Sequence, residues 1–169
     1  MPRRQATEWN IVGLDPGGTT GIATSYRGDP DNPIRWATEE LGPSLHHKAL
    51  YDFLRLRAEN PVIPLTIVCE KFEFRQNYGR EGNRNKVELI SREYIGIVKL
   101  IVQQYGCKLV EQSASQGKHF VPDRKLELSG LLVSPPHPNR HKNDATRHIV
   151  RHLVVDLGVR SPITDKWMI

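Results

Sequence analysis

The sequence predicts an α/β domain built on one mixed five-stranded sheet flanked by helices. Two observations point there. Three short apolar or β-branched runs come first, separated only by turn-forming glycine, proline and aspartate, and further runs of the same kind then alternate with stretches of helical periodicity. The order βββαβα, followed by another strand and more helices, extends an antiparallel meander through helical crossovers.

Ile11–Leu14 is an apolar run ending in Asp15-Pro-Gly-Gly-Thr-Thr-Gly21, after which Ile22–Tyr26 is apolar again, so the pair reads as a hairpin with a glycine-rich turn. Arg27–Pro33 is dense in turn residues, which makes Ile34–Leu41 the third strand. From Pro43 and Ser44, the residues Leu45, Ala49, Leu50, Phe53, Leu54 and Leu56 recur at helical spacing until Asn60-Pro-Val-Ile-Pro64 stops them. Leu65–Glu70 is short, β-branched and apolar up to its last residue, as in a strand covered on both faces.

Lys71–Asn85 has no periodicity and reads as a loop, whereas Val87, Ile90, Tyr94, Ile97, Val98, Ile101 and Val102 mark a long helix reaching Gly106. Cys107–Glu111 is the fifth strand. Two short helical stretches surround Pro122, Pro135-Pro-His-Pro138 breaks the chain, and Ala145, Ile149, Val150, Leu153, Val154 and Leu157 mark a final amphipathic helix that Asp144 opens.

A chain of 169 residues has room for one core, and 38% hydrophobic with 25% charged residues separates it from disordered sequences. The expected layout is a flexible N-terminus over 1–10, one domain over 11–158 and a C-terminal tail over 159–169. No run approaches the roughly 20 apolar residues of a membrane span, and neither a leader nor an anchor is implied. Cys69 and Cys107 lie in or beside apolar runs without metal-binding spacing, which suits reduced thiols in a cytoplasmic protein. The net charge of +5 favours acidic partners, nucleic acid first among them.

The chemistry is expected from three acids. Asp15 follows the first strand directly and Glu70 ends the fourth, so the two face each other if those strands are neighbours; Asp144 stands at the last helix with His141 one turn before it. Singly, each has a plainer role, as a turn residue, a strand-end ion-pair partner or a helix N-terminal acid. Together they fall at element ends on one side of one sheet. Carboxylates crowded at one spot repel unless a cation joins them, and hard oxygen donors suit Mg²⁺, with Mn²⁺ able to substitute. Two such ions about 4 Å apart support in-line phosphodiester hydrolysis.

These residues also carry a resemblance. Val12-Gly-Leu-Asp-Pro-Gly-Gly-Thr-Thr-Gly-Ile-Ala23 resembles the opening hairpin of the RuvC-type Holliday-junction resolvases of the RNase H-like superfamily, with the first catalytic Asp at Asp15. Ile67-Val-Cys-Glu70 resembles the strand ending in their catalytic Glu, and His141-Lys-Asn-Asp144 the His-x-x-Asp form of their last motif. Many members carry a second Asp where His141 stands, and Glu73 has no counterpart. The resemblance spans about Ile11–Leu157. It implies an RNase H-like mixed five-stranded sheet and a homodimeric junction resolvase acting in DNA recombination and repair. Such an enzyme nicks paired phosphodiester bonds, leaves 5′-phosphate and 3′-hydroxyl ends, and holds two metal ions per site on Asp15, Glu70, His141 and Asp144.

The resemblance further places Lys118 and Lys125 where that family carries active-site and DNA-contacting lysines. It assigns a base-wedging aromatic near Phe72, Phe74 or Tyr78. With Arg75, Arg80, Arg84 and Lys86 these aromatics make a mixture suited to phosphates and unstacked bases. The other histidines from His119 to His152 are expected at the surface or facing phosphate rather than as a zinc site. The helix from Asn85 to Tyr105 is the candidate dimer face, unless its apolar stripe belongs to the core. Two alternatives stay open: a relaxed nuclease for flaps and other branched DNA, and a phosphate-binding domain like those of actin-like ATPases and sugar kinases, whose hairpin is similar.

Overall fold

The computed structural model describes residues 7–42, 46–59, 61–71 and 81–167, without the side chains of residues 46 and 81–89. The strands are β1 (Trp9–Asp15), β2 (Thr20–Arg27), β3 (Arg35–Leu41), β4 (Leu65–Glu70) and β5 (Lys108–Gln112). The helices are α1 (His46–Ala58), α2 (Glu81–Tyr105), α3 (Ala114–Phe120), α4 (Asp123–Leu128) and α5 (Arg140–Arg151), the last continued by a π-helical turn, His152–Asp156. The sheet order is β3-β2-β1-β4-β5, with β1–β2 and β2–β3 antiparallel and β1–β4 and β4–β5 parallel. The expected mixed five-stranded sheet is therefore present, and β1 and β4 are neighbours.

Strand alternation sorts the core into two layers. Val12 and Leu14 of β1, with Leu65, Ile67 and Cys69 of β4, face α1 and α2, where Leu50, Leu54, Tyr94, Val98 and Ile101 are buried. Trp9, Ile11 and Val68 face the opposite way, into a layer with Val121, Leu126, Ala145, Ile149 and Leu153. The apolar stripe of α2 is thus part of the core. Among the described residues no helix is long and apolar enough to cross a membrane.

Three expected boundaries move. Helix α2 starts at Glu81, inside the expected loop; Gly82, Asn83 and Asn85 give its first turns no apolar spacing by which to be read from the sequence. Helix α5 starts at Arg140, so Asp144 lies in its second turn instead of opening it. At the termini, Trp9 is buried in β1 and donates its indole N–H to Ser25 at 3.0 Å. Val159 and Ile163 are buried, and Trp167 packs edge-on against Phe120 and donates to Ser129 at 2.8 Å. The segment expected as a tail closes the α5-side core.

Candidate functional site

The register between β1 and β4 pairs Gly13 with Val68 and Leu14 with Cys69. One step further along both strands come Asp15 and Glu70, and parity turns both toward the α5 layer. Helix α5 crosses this face at unusually short range. A Cβ on Gly13 would come within 2.4 Å of the Ala145 carbonyl oxygen, and one on Gly21 within 2.0 Å of the His141 carbonyl oxygen. Only glycine lets the helix backbone lie there. That approach brings His141 and Asp144, one turn apart, over the strand ends.

Asp15, Glu70, His141 and Asp144 line one cleft of about 340 Å³, together with Ser91, Lys71, Lys118 and Arg140. The four residues read from sequence are brought together by three elements. His141 Nδ1 is 2.7 Å from Asp15 Oδ2, and His148 Nε2 is 3.3 Å from Glu70 Oε2. Lys118 Nζ is 3.1 Å from Asp144 Oδ2, while Asp144 Oδ1 takes a charge-assisted bond from Arg147. Burial raises the Asp15 pKa, and the nearby Glu70 and Asp144 carboxylates add to the rise while His141 opposes it. His141 is raised in turn, chiefly by its hydrogen bond to Asp15.

The donor chemistry fits a hard divalent cation: three carboxylates and one imidazole share a cleft in which burial, and then the neighbouring carboxylates, disfavour the charged form of Asp15. As they stand, these side chains are engaged with protein partners. Among the described residues no three His, Cys, Asp or Glu side chains gather tightly enough to hold one ion. Loading a cation would therefore exchange the Lys118 and His141 contacts for metal–oxygen bonds.

Two solved structures of RuvC from Thermus thermophilus are similar to this chain. One, in complex with a Holliday junction substrate, aligns over 88% of this chain and 96% of its own, with a TM-score of 0.61 and 15% sequence identity. The fold is RuvC-like. The second aligns over the same shares, with a TM-score of 0.53 and 17% identity. No protein-family model and no curated protein matches the sequence.

On this RuvC-like scaffold the expected DNA-contacting residues divide. Phe72, Phe74, Arg75, Tyr78 and Arg80 lie outside the described residues, as does Glu73. Arg84 and Lys86 belong to the first turns of α2, where only the backbone is described. Lys118 projects from α3 into the cleft with its side chain 52% exposed. Lys125 instead turns inward: its ammonium donates to the Phe120 carbonyl at 2.9 Å and lies 4.5 Å from the centre of the Trp167 ring. There an aromatic face and a carbonyl compete with water for its charge.

The histidines correct a second expectation. His148 and His152 are each 1% exposed, not at the surface. His148 lies between Glu70 and the Gln112 side-chain oxygen, 3.1 Å from Nδ1, and Gln112 donates to the His148 carbonyl at 3.3 Å. His152 Nδ1 is 2.7 Å from Asp156. Arg147, also buried, donates to the Val121 carbonyl at 2.9 Å and reaches both Asp144 and Asp123. This polar layer fixes the orientation of Glu70 and Asp144. Hydrophobic periodicity carries no sign of it, although Ser113-Ala-Ser-Gln116 does announce the start of α3. Gln116 N–H donates to the Ser113 hydroxyl at 3.4 Å, and Ser113 N–H donates to Gln116 at 2.9 Å.

Proposed function

We propose that this protein is a metal-dependent, structure-selective DNA endonuclease that resolves four-way junctions as a homodimer, nicking paired phosphodiester bonds to leave 5′-phosphate and 3′-hydroxyl ends. The observation that carries the reading is the convergence of Asp15, Glu70, His141 and Asp144 on one cleft in a RuvC-like fold. One of the similar solved structures is a complex of RuvC with a Holliday junction substrate.

Asp15, Glu70, Asp144 and His141 would hold Mg²⁺ or Mn²⁺, two ions in the fullest arrangement. Such ions supply charge neutralisation at the phosphoryl oxygens and a more acidic bound water. Hydrolysis forms a bond from the water oxygen to phosphorus and breaks the bond to the 3′ oxygen, which gains a proton. The chain's own residues bear on each part. Lys118 sits beside Asp144 with an exposed ammonium, available to the phosphoryl oxygens or to the leaving 3′ oxygen. Before a cation is bound, the Asp15–His141 hydrogen bond keeps both side chains turned toward the cleft. His148 and Arg147 keep Glu70 and Asp144 aimed into the cleft and cost no rearrangement when the strand arrives.

The test is incubation of purified protein with labelled four-way, forked, flapped and linear DNA, with Mg²⁺ or with chelator. Paired, metal-dependent nicks confined to four-way DNA are expected. Equal cutting of forks and flaps would reassign the protein as a relaxed branched-DNA nuclease, and no cutting of any substrate with either metal would remove the nuclease reading.

A further inference from the structure

A second basin adjoins the acid cleft and shares Lys118 and Arg140 with it. Its other charged walls are Arg147 and Asp123, with His137 at the rim. The two hollows differ in charge. In the cleft Asp15, Glu70 and Asp144 are matched by Lys71, Lys118 and Arg140, so apart from His141 no net charge remains to draw in an anion. The basin is lined by Lys118, Arg140 and Arg147 and by one carboxylate, Asp123, and because Asp144 from the cleft side also bonds Lys118 and Arg147, Arg140 is the cation left to meet an incoming anion. Asp144 and Asp123 both bond to Arg147, while among the described residues no carboxylate pairs with the exposed Arg140.

Resting on the nuclease reading above, we propose that this basin is the subsite for the phosphate next to the scissile one, and that Arg140 is its principal ligand, with Lys118 bridging the two phosphates. A polynucleotide presents phosphates in series, so a cleft with no net charge to draw them in needs a cationic neighbour to hold the strand across it. Arg140 is suited to this role: its planar fork takes two phosphate oxygens at once, and it opens the same helix that carries His141 and Asp144. Arg140, His141 and Asp144 therefore move as one rigid piece. The ligand class is a DNA-strand phosphodiester, bound at a position flanking the cut.

The experiment measures binding in chelator, so that cleavage plays no part. Four-way junctions are made with single methylphosphonates, which carry no charge, at each position around the cut. They are titrated with wild type, Arg140→Gln and Arg140→Lys at several salt concentrations. Arg140→Gln is expected to make the slope of log K against log[salt] shallower by about 0.9, the value of one phosphate contact, and Arg140→Lys to restore most of it. One flanking methylphosphonate should weaken the wild type markedly and Arg140→Gln much less, by the Lys118 contact alone. Unchanged slopes, or losses in wild type and Arg140→Gln that simply add at every position, would overturn the subsite while leaving the nuclease reading intact. A wild type that binds no junction DNA overturns both.

Discussion

Gly21 lies directly beneath the His141 carbonyl, so close that a Cβ at that position would sit 2.0 Å from the carbonyl oxygen. Strand β2 thereby sets the height at which α5 crosses the sheet, and with it the height of His141 above Asp15. Gly21→Ala must lift the helix or bend the strand. The expected cost is about 1–3 kcal/mol from overpacking against a backbone that cannot rotate away. Urea denaturation measures it. Gly42→Ala has open space at its Cβ and is expected to stay near wild type. Equal stability of Gly21→Ala and Gly42→Ala would show that α5 is not held by this contact.

Neutralising the acids should separate stability from cleavage. Asp15→Asn, Glu70→Gln and Asp144→Asn are each expected to abolish metal-dependent cutting, because each removes a hard donor, while junction binding in chelator persists. Their stabilities should diverge. Asp15 is buried beside two other carboxylates, so Asp15→Asn relieves desolvation and repulsion and should be neutral or stabilising. Asp144 is the buried partner of Arg147, so Asp144→Asn should cost about 1–3 kcal/mol by leaving that guanidinium under-compensated. Gel shifts, cleavage assays and thermal melts on the same preparations check all three. A variant cutting at the wild-type rate would remove its residue from the site.

Much of this site was legible before any coordinates. Glu70 ends an apolar strand and Asp15 ends another, and once β1 and β4 pair in parallel the two acids are neighbours by register alone. The start of α5 was not legible, for a physical reason. Residues Asn143–Val150 are all buried, polar ones included, since the helix is enclosed by the sheet on one side and by α3 and the neighbouring loops on the other. Its first turn, Arg140-His-Lys-Asn143, holds no apolar residue that could carry the spacing of Ala145, Ile149 and Leu153 back to the start. The glycines were the available signal: Gly13 and Gly21 stand within neighbouring strands, two residues apart in register, as close backbone approach demands.

His141 and His152 should give opposite pH dependences in the metal-free protein. His141 is raised above 6.5, first by its bond to Asp15, so its contribution to stability is complete below 6.5 and is lost as pH rises through the raised value. Burial lowers His152 below 6.5 against the pull of Asp156. There the unfolded chain takes up a proton that the folded protein resists, so stability falls as pH drops below 6.5 and levels off once folded His152 protonates. Unfolding free energies across this range should therefore lose their acid-side slope in His152→Gln and their alkaline-side slope in His141→Asn. Parallel profiles for both variants and wild type would contradict the assignment.

Lys118 and Lys125, seven residues apart, should respond in opposite ways. Lys125→Met loses the carbonyl bond and the contact with the Trp167 ring, and is expected to cost about 1 kcal/mol with DNA affinity unchanged. Lys118→Met removes an exposed ammonium from the cleft wall and is expected to leave stability within about 0.5 kcal/mol while weakening junction binding and flattening its salt dependence. Denaturation curves and salt titrations of the two variants decide this. A salt slope reduced by Lys125→Met would return that residue to the DNA interface.

The contact between His148 and Glu70 carries the last prediction. Gln112 donates its amide N–H to the His148 carbonyl while its side-chain oxygen lies 3.1 Å from His148 Nδ1, so one side chain grips both the backbone and the ring of His148. The ring is then fixed in rotation, with Nε2 directed at Glu70 Oε2, and the carboxylate is held at a site where a misplacement of about 1 Å costs on the order of 100-fold in rate. His148 acts through Glu70 and is a positioning residue. His148→Ala should lower kcat by about that factor with KM little changed, because the strand-binding cations are elsewhere. His148→Gln, which can donate from nearly the same position, should recover a large part of the loss. Gln112→Ala should show a smaller fall of the same kind, since the ring then loses its anchor but keeps its packing beneath Gly117. A purely structural role predicts otherwise: all three variants would lose activity only in proportion to their loss of folded protein, with no rescue by glutamine at equal stability. Steady-state kinetics on four-way DNA, run beside thermal melts of the same variants, distinguishes the two.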